Sequence, residues 1–367
     1  MASPALTDIK IPAQLLPLDG RFGSGPSKIR AEQIDAVVRA SRNILGTSHR
    51  QAPVKNLVGS VIDQMRQLFQ LPQDWDVVIG NGGASLFWDA ATFGLIHERS
   101  AHLIFGEFSS KFAQAAQLAP HLGDPLVIES APGTVPAIQL SDVDTYCLTH
   151  NETSTGASMQ LSRPATPADA LVVVDGTSAA GGINWSPTEV DVYYFSPQKG
   201  FASEGGTWIA LCSPRATERI NKIKSTGRWC PPSLDLSLAL ENSRANQTYN
   251  TPSLSTFVML NEQLGWMLDN GGLDWCTKRT QQSADILYGW ATSRAFTEPF
   301  VANPQHRSPV VGTIDFIDVD AAQVATVLRN NGIVDTEPYR KLGRNQLRVS
   351  MFPAVDPSDV QLLTASI

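Results

Sequence analysis

The sequence predicts an α/β fold: a large domain built on a mostly parallel sheet of seven strands flanked by helices, then a smaller α+β domain at the C-terminal end. Two observations predict the first part. Seven short apolar runs recur between residues 76 and 212, and several are separated by helix-like segments, such as 85–97 and 109–118. A change of texture after about residue 255 predicts the second.

The runs are "DVVIG" (76–80), "AHLIFG" (101–106), "PLVIES" (125–130), "TYCLTH" (145–150), "LVVVDG" (171–176), "VYYFS" (192–196) and "TWIALC" (207–212). Most are β-rich and apolar at consecutive positions, the pattern of strands covered on both faces. Strands alternating with helices imply crossover connections and hence parallel neighbours. Further on, 255–269 and 273–294 read as long helices separated by "DNGG". A strand (309–317), a helix (320–330), a strand (346–352) and the start of a helix (356–364) follow. That helix meets the end of the chain at Ile367 about where it should continue, as a trimmed C-terminus would leave it.

A chain of 367 residues suggests two or three structural units, and 42% hydrophobic with 17% charged residues is ordinary globular composition. The net charge of -7 and pI of about 5.4 argue against a nucleic-acid binder, which would carry a basic patch. They say nothing against small acidic ligands. Cys147, Cys212, Cys230 and Cys276 are scattered without a C-x-x-C pair, so neither a metal site nor a disulfide framework is expected, and a reducing compartment fits. The N-terminus has no basic region followed by an apolar run, and no apolar run is long enough for a membrane span. The expectation is a cytoplasmic protein without signal peptide or membrane contact.

Three features carry chemistry. In "GNGGASLFWDA" (80–90) a strand ends, glycines follow, and a helix starts near Ser85. Such a turn aims backbone N–H groups at one spot and suits a phosphate, although a tight strand-to-helix turn reads the same way. "LVVVDGTS" puts Asp175 at the carboxyl end of a buried strand, where ligands gather in open α/β sheets. An Asp there either pairs with a cation or caps the next turn. "FSPQKGFASEGG" (195–206) offers Lys199 just past a hydrophobic strand, among residues small enough for close approach. In partly apolar surroundings its pKa falls and the neutral amine becomes a nucleophile; on a solvated loop it remains an ordinary surface lysine. Cup, acid and lysine occur in that order, 92 and 24 residues apart (83, 175, 199). Pyridoxal phosphate needs this set: a phosphate anchor, an acid for the pyridine nitrogen, and a lysine for the aldehyde.

Nearly the whole chain resembles the phosphoserine aminotransferases, class V enzymes of fold type I, and especially their actinobacterial-type branch. The resemblance rests on "RFGSGPSKIR" (21–30), "GTSHRQAPVKNLV" (46–58), "GNGGAS" (80–85), "HNETSTG" (150–156), "VVVDGTS" (172–178), "FSPQKGFASEGG" (195–206), "NQTYNTPS" (246–253) and "GIVDTEPYRKLGRNQLRVSMFPAV" (332–355). It implies an N-terminal arm (1–24) packing with the small domain, a large cofactor-binding domain (25–268) and a small C-terminal domain (269–367). It also implies that Lys199 holds pyridoxal 5'-phosphate covalently and serves as the catalytic residue, while Asp175 bonds the pyridine nitrogen. Gly83, Ala84 and Gln198 would lie at the phosphate, Thr153 at the ring hydroxyl, and Phe108 where many relatives have a stacking tryptophan. Asn250 and Thr251 would reach the cofactor phosphate of the other subunit of a homodimer. Arg348 would fork onto the substrate α-carboxylate, with His49 and Arg50 facing the distal anion. Tyr339 and Arg340 occupy the place of a His-Arg pair that relatives contribute from the partner chain.

The sequence departs from the family where Ala84 follows the cup glycines in place of an arginine, so Arg344 or Lys341 is expected to serve the distal anion. The reaction implied is ping-pong transfer of the amino group of L-glutamate to 3-phosphohydroxypyruvate, giving O-phospho-L-serine and 2-oxoglutarate. Its context is serine biosynthesis and, in many bacteria, a step towards vitamin B6. Rival readings are a serine–glyoxylate type aminotransferase, a cysteine desulfurase, which needs a mobile catalytic cysteine, and a pyridoxal-phosphate-binding regulator, which needs a DNA-binding module.

Overall fold

The structure, a computed structural model, describes residues 9–165 and 169–367. The expectations placed on residues 1–8, the start of the arm and the lack of a leader, lie outside the described residues. Helices α1 (Ala31–Ala40) and α2 (Ala52–Leu68) precede strand β1 (Asp76–Asn81), followed by α3 (Ala84–Gly94), β2 (Ser100–Ile104), α4 (Glu107–Leu118) and β3 (Leu126–Glu129). Next come β4 (Thr145–Thr149), the two-residue strands β5 (Asn151–Glu152) and β6 (Ala157–Ser158), β7 (Leu171–Asp175), β8 (Val192–Phe195) and β9 (Thr207–Cys212). Helices α5 (Pro214–Ser225), α6 (Leu236–Arg244) and α7 (Leu254–Asp269) lead to α8 (Gly272–Ser293), β10 (Thr297–Pro299), β11 (Val311–Phe316), α9 (Ala321–Asn330), β12 (Gln346–Ser350) and α10 (Pro357–Ser366).

The seven expected strands form one sheet in the order β1-β9-β8-β7-β4-β2-β3. Strands β8, β7, β4, β2 and β3 run parallel, whereas β9 is antiparallel to both β8 and β1. Residues 196–206 are all that separate β8 from β9, too few for the crossover a parallel partner needs. Alternate residues of the central strands serve opposite layers. Val172, Val174, Tyr193, Phe195, Ile209 and Leu211 pack with α1, α2 and α7. Leu171, Val173, Val192, Tyr194, Ala210 and Cys212 pack with α3, α4, α5 and α6. Both faces are covered, which is why these strands are continuous apolar runs.

Strands β10, β11 and β12 form an antiparallel sheet. Ile314, Leu347 and Val349 pack there with Leu287 of α8, Leu328 of α9, Leu363 of α10 and Phe22. The segment before α1 runs along this layer: Val334 N donates to Gly20 O at 2.7 Å and Ser350 N to Phe22 O at 3.1 Å. The break between α7 and α8 falls on "DNGG" because Gly271 and Gly272 take φ of +116° and +70°. Strands β5, β6 and β10 are not expected from the sequence; two or three residues are too few to show a period. No described helix is long and apolar enough to cross a membrane.

The β8–β9 connection folds tightly over the loop after β7. A Cβ on Gly200 would lie 2.1 Å from the backbone oxygen of Ala180. Backbone cannot step aside cheaply, so Gly200→Ala should destabilise the chain by roughly 1–3 kcal/mol in chemical denaturation. An unchanged midpoint and slope would show that the loop relaxes freely.

Candidate active site

The carboxyl ends of β4, β7 and β8 lie level, since Thr149 pairs with Asp175 and Asp175 with Tyr194. Beyond them opens a cavity of about 410 Å³. Lys199 enters it from a turn that Ser27 fastens from outside: Ser27 Oγ donates to Lys199 O at 2.7 Å and Ser27 N to Gln198 O at 2.9 Å. Gly25 leaves room for the lysine stem, because a Cβ there would meet Lys199 Cε at 2.9 Å. The Lys199 side chain is buried, with Nζ donating to Thr153 Oγ1 at 2.7 Å and lying 5.1 Å from the centre of the Phe108 ring. Burial pushes its pKa down from the ordinary 10.5 to about 8; Asp175 and Glu152 oppose the fall and Arg348 adds to it. That depression corresponds to roughly 3 kcal/mol against the ammonium form.

Asp175 is buried at the end of β7. Its Oδ1 accepts from Thr177 N at 2.8 Å and its Oδ2 from Trp88 Nε1 at 3.2 Å, so it caps a turn and still faces the cavity. Gly83, Ala84 and Ser85 line the cavity at the start of α3, which has no side-chain cap. The first amides of a helix lack partners of their own and suit an anion. Gln198 lines the same wall, and its Oε1 is buried without a hydrogen-bond partner. Opposite, Arg348 of β12 donates from Nη1 to Thr153 O at 3.2 Å, lies over the Tyr339 ring, and keeps a buried Nε without a partner. Phe108 and Tyr339 face each other with ring centres 6.0 Å apart.

Of the residues singled out in the sequence, Gly83, Ala84, Phe108, Thr153, Asp175, Gln198, Lys199, Tyr339 and Arg348 line this one cavity. The others do not. His49, Arg50, Asn250 and Thr251 form a separate cluster: Arg50 Nη1 donates to Gln247 Oε1 at 2.5 Å, Arg50 Nη2 to Tyr249 O at 3.1 Å, and His49 Nδ1 lies 3.2 Å from Thr251 Oγ1. Asn81, at the end of β1, holds the same segment by bonding Thr251 O at 3.0 Å. Tyr339 stands in its own chain's cavity, whereas Arg340 is exposed and outside the lining. The expectation for Arg344 and Lys341 is corrected: Arg344 grips Asp315 and Lys341 pairs with Glu107, so each charge is taken up by a carboxylate and neither residue lines the cavity.

Several lining residues escape sequence reasoning. Ser24 is buried in the wall with an unpartnered hydroxyl; the small-residue run "SGPS" is its only signal. Trp88 sits one helical turn past Ala84, a spacing that brings both to one face of α3. No cysteine lines the cavity; Cys147, Cys212 and Cys276 are buried elsewhere, and burial pushes the Cys276 thiol up to about 12.

The Lys199 amine has a consequence for stability. Below about pH 8 both folded and unfolded chains carry its proton, and the folded chain bears the full cost of burying it. Between about 8 and 10.5 only the unfolded chain keeps the proton, so stability rises with pH across that window. The unfolding free energy of the cofactor-free chain, measured against Lys199→Met, should therefore gain up to about 3 kcal/mol from pH 8 to 10.5. A difference that stays flat would mean that the amine is solvated.

Residues 136–363 match the aminotransferase class-V family. A putative phosphoserine aminotransferase of Mycolicibacterium vanbaalenii is 57% identical over 362 residues, 98% of this chain and 97% of the relative. A phosphoserine aminotransferase of Rhodococcus jostii is 56% identical over 97% of this chain and 96% of its own. Among solved structures, the phosphoserine aminotransferase of Cytophaga hutchinsonii superposes with a TM-score of 0.88 at 23% identity, covering 95% of this chain and 98% of that one. The pyridoxal-phosphate-bound phosphoserine aminotransferase of Trichomonas vaginalis gives 0.82 at 20% identity over 95% and 99%. At such identities the structures speak for the fold, and the sequence relatives, matched from end to end, carry the kinship: the chain belongs to the class-V aminotransferase family.

Proposed function

We propose that this chain is a phosphoserine aminotransferase that binds pyridoxal phosphate on Lys199 and moves the amino group of L-glutamate to 3-phosphohydroxypyruvate. The observation that carries this is the buried Lys199 amine, its pKa lowered to about 8, in one cavity with Asp175 and the open start of α3. The cavity suits the cofactor on its own terms. The uncapped helix offers N–H donors to a phosphate, and Asp175 offers a buried carboxylate to a ring cation. When bound, pyridoxal phosphate supplies an aldehyde and a conjugated ring that withdraws electrons from the substrate Cα.

Everything else falls to the chain. The Lys199 amine, partly neutral near pH 8, would be the nucleophile that holds the cofactor. Freed from that bond, it would be the base that takes the substrate Cα proton and the acid that returns it. Asp175 would hold a positive ring nitrogen, Thr153 would bond the ring hydroxyl and Phe108 would cover the ring. Arg348 receives the α-carboxylate through its unpartnered Nε, with the Ser24 hydroxyl beside the same cavity. Both substrates join a carboxylate to a distal anion, so one set of cationic groups serves both half-reactions.

On this reading the distal anion falls to His49, Arg50 and Arg340, and the cofactor phosphate gains Asn250 and Thr251, all from the partner in a two-fold dimer. The bonds joining His49 to Thr251 and Arg50 to Tyr249 support this, since they make one unit of residues that stand away from their own cavity. The same reading divides the chain at 24/25 and 268/269. It places the enzyme in the cytoplasm, where four free cysteines fit a reducing environment.

The purified chain should absorb near the edge of the visible range, and glutamate should bleach that band. Borohydride should fix the cofactor on the wild type and not on Lys199→Ala; cofactor trapped on the variant would place the anchor on another lysine. O-phospho-L-serine should run the reverse half-reaction, and a chain that answers to serine or alanine instead is a different class-V transaminase.

Shared sites have a separate test. A Lys199→Ala chain mixed with an Asn250→Ala/Thr251→Ala chain and allowed to exchange subunits should recover about a quarter of wild-type activity, because half the dimers hold one whole site of two. No recovery despite demonstrated exchange would return Asn250 and Thr251 to their own chain.

A further inference from the structure

Glu152 carries an ionisable group that the reaction does not use, and it is wholly buried beside the cavity without lining it. Among the described residues its carboxylate makes no ion pair, although it lies near enough to favour the Lys199 charge. Instead every neighbour is a donor. Oε2 accepts from Phe108 N at 3.1 Å, from Ser109 N at 2.9 Å and lies 2.9 Å from Ser109 Oγ. Oε1 accepts from Ser154 N at 3.1 Å and Ser154 Oγ at 2.7 Å. Ser154 Oγ in turn accepts from Glu107 N at 3.0 Å. The first three amides of α4 are thus satisfied by residues 152–154, although α4 has no side-chain cap of its own. A negative group at that end also meets the positive pole of the helix.

Space has been left for this arrangement. A Cβ on Gly106 would lie 2.3 Å from Glu152 Cγ and 2.5 Å from Cδ, so any larger residue there would expel the carboxylate. The two segments that Glu152 ties together carry two groups that meet the Lys199 amine. Phe108, whose amide it holds, puts its ring 5.1 Å from Nζ. Thr153, next in the chain, accepts from Nζ at 2.7 Å.

We propose that Glu152 is a positioning residue: one buried carboxylate fixes the Phe108 ring and the Thr153 hydroxyl against each other, and so sets both the face and the edge of the space a pyridoxal ring fills. The inference rests on the proposed function. It goes beyond that reading by assigning the geometry of the ring site to a residue that touches neither cofactor nor substrate.

The experiment compares the full-length wild type, Glu152→Gln, and Asp235→Ala, which removes the cap of α6 outside the cavity. In the cofactor-free chains, the Phe108 and Ser109 amides should exchange hydrogen faster in Glu152→Gln alone. Pyridoxal phosphate affinity should fall about tenfold in Glu152→Gln, the scale of losing one charged hydrogen bond, and hold in Asp235→Ala. The absorption band of the bound cofactor should shift in Glu152→Gln as its ring contacts loosen. The affinity loss should shrink when Glu152→Gln is combined with Phe108→Ala and Thr153→Ala, because residues acting through one another are not additive. Wild-type affinity and spectrum in Glu152→Gln overturn the inference and leave a plain helix cap. Should Glu152→Gln fail to fold, Ser109→Ala/Ser154→Ala weakens the same network, and an unchanged affinity there overturns it equally. A wild type that takes up no pyridoxal phosphate overturns the function itself, which is a different result from a wild type and a Glu152→Gln chain that bind it alike.

Discussion

Holding the Lys199 amine buried costs stability that its surroundings offset only in part. Thr153 accepts its hydrogen bond, and the nearby carboxylates of Asp175 and Glu152 favour its charge, while Arg348 opposes. The turn that carries the lysine is fastened by Ser27 at the adjacent carbonyls of Gln198 and Lys199 and is closely packed, with Gly25 on one side and Gly200 against Ala180 on the other. Strand order follows from the same turn. A connection compact enough to bury a lysine is too short to cross over, so β9 must run back beside β8. The level ends of β4, β7 and β8 then set the acid, the threonine turn and the amine around one space.

Around that space the chemistry separates into rigid and borrowed parts. The uncapped start of α3, the acid and the amine sit on the ends of strands and helices of the seven-stranded sheet. Opposite them stands Arg348 of β12, which reaches over to the backbone of Thr153. Thr313 Oγ1, on the neighbouring strand β11, donates to Thr155 O at 2.8 Å. Two contacts from the small sheet thus converge on the four-residue turn between β5 and β6, so movement of that sheet would be felt where the lysine is bonded.

The fold was largely legible in the sequence, because strands covered on both faces must be apolar throughout and therefore stand out. The strands that stayed hidden, β5, β6 and β10, owe their form to neighbours rather than to a period of their own. Asp175, Lys199 and the glycine cup were legible because each follows directly on a buried strand. Glu152 was not, although it lies beside Thr153 in "NET": its partners Phe108 and Ser109 come from a helix more than forty residues earlier. Trp88 and Ser24 likewise matter only through where the fold brings them. Arg344 and Lys341 show the opposite error. A basic residue of the right charge near the site is a candidate in one dimension, and only the packed chain reveals the carboxylate that already holds it.

The antiparallel strand has a further cost that belongs to synthesis rather than catalysis. Strand β1 pairs only with β9, and Gly82 N, at the cup, donates to Gly206 O at 3.0 Å. The residues of β9 leave the ribosome 131 positions after those of β1 (76 to 207), a delay of roughly ten seconds. For that interval Val77, Val78 and Ile79 lack the strand they pair with, and an unpaired apolar segment is the kind of surface that other unfinished chains pair with. The cup and the lysine are therefore completed by a single late insertion, and until it comes the nascent chain carries that apolar segment unpaired.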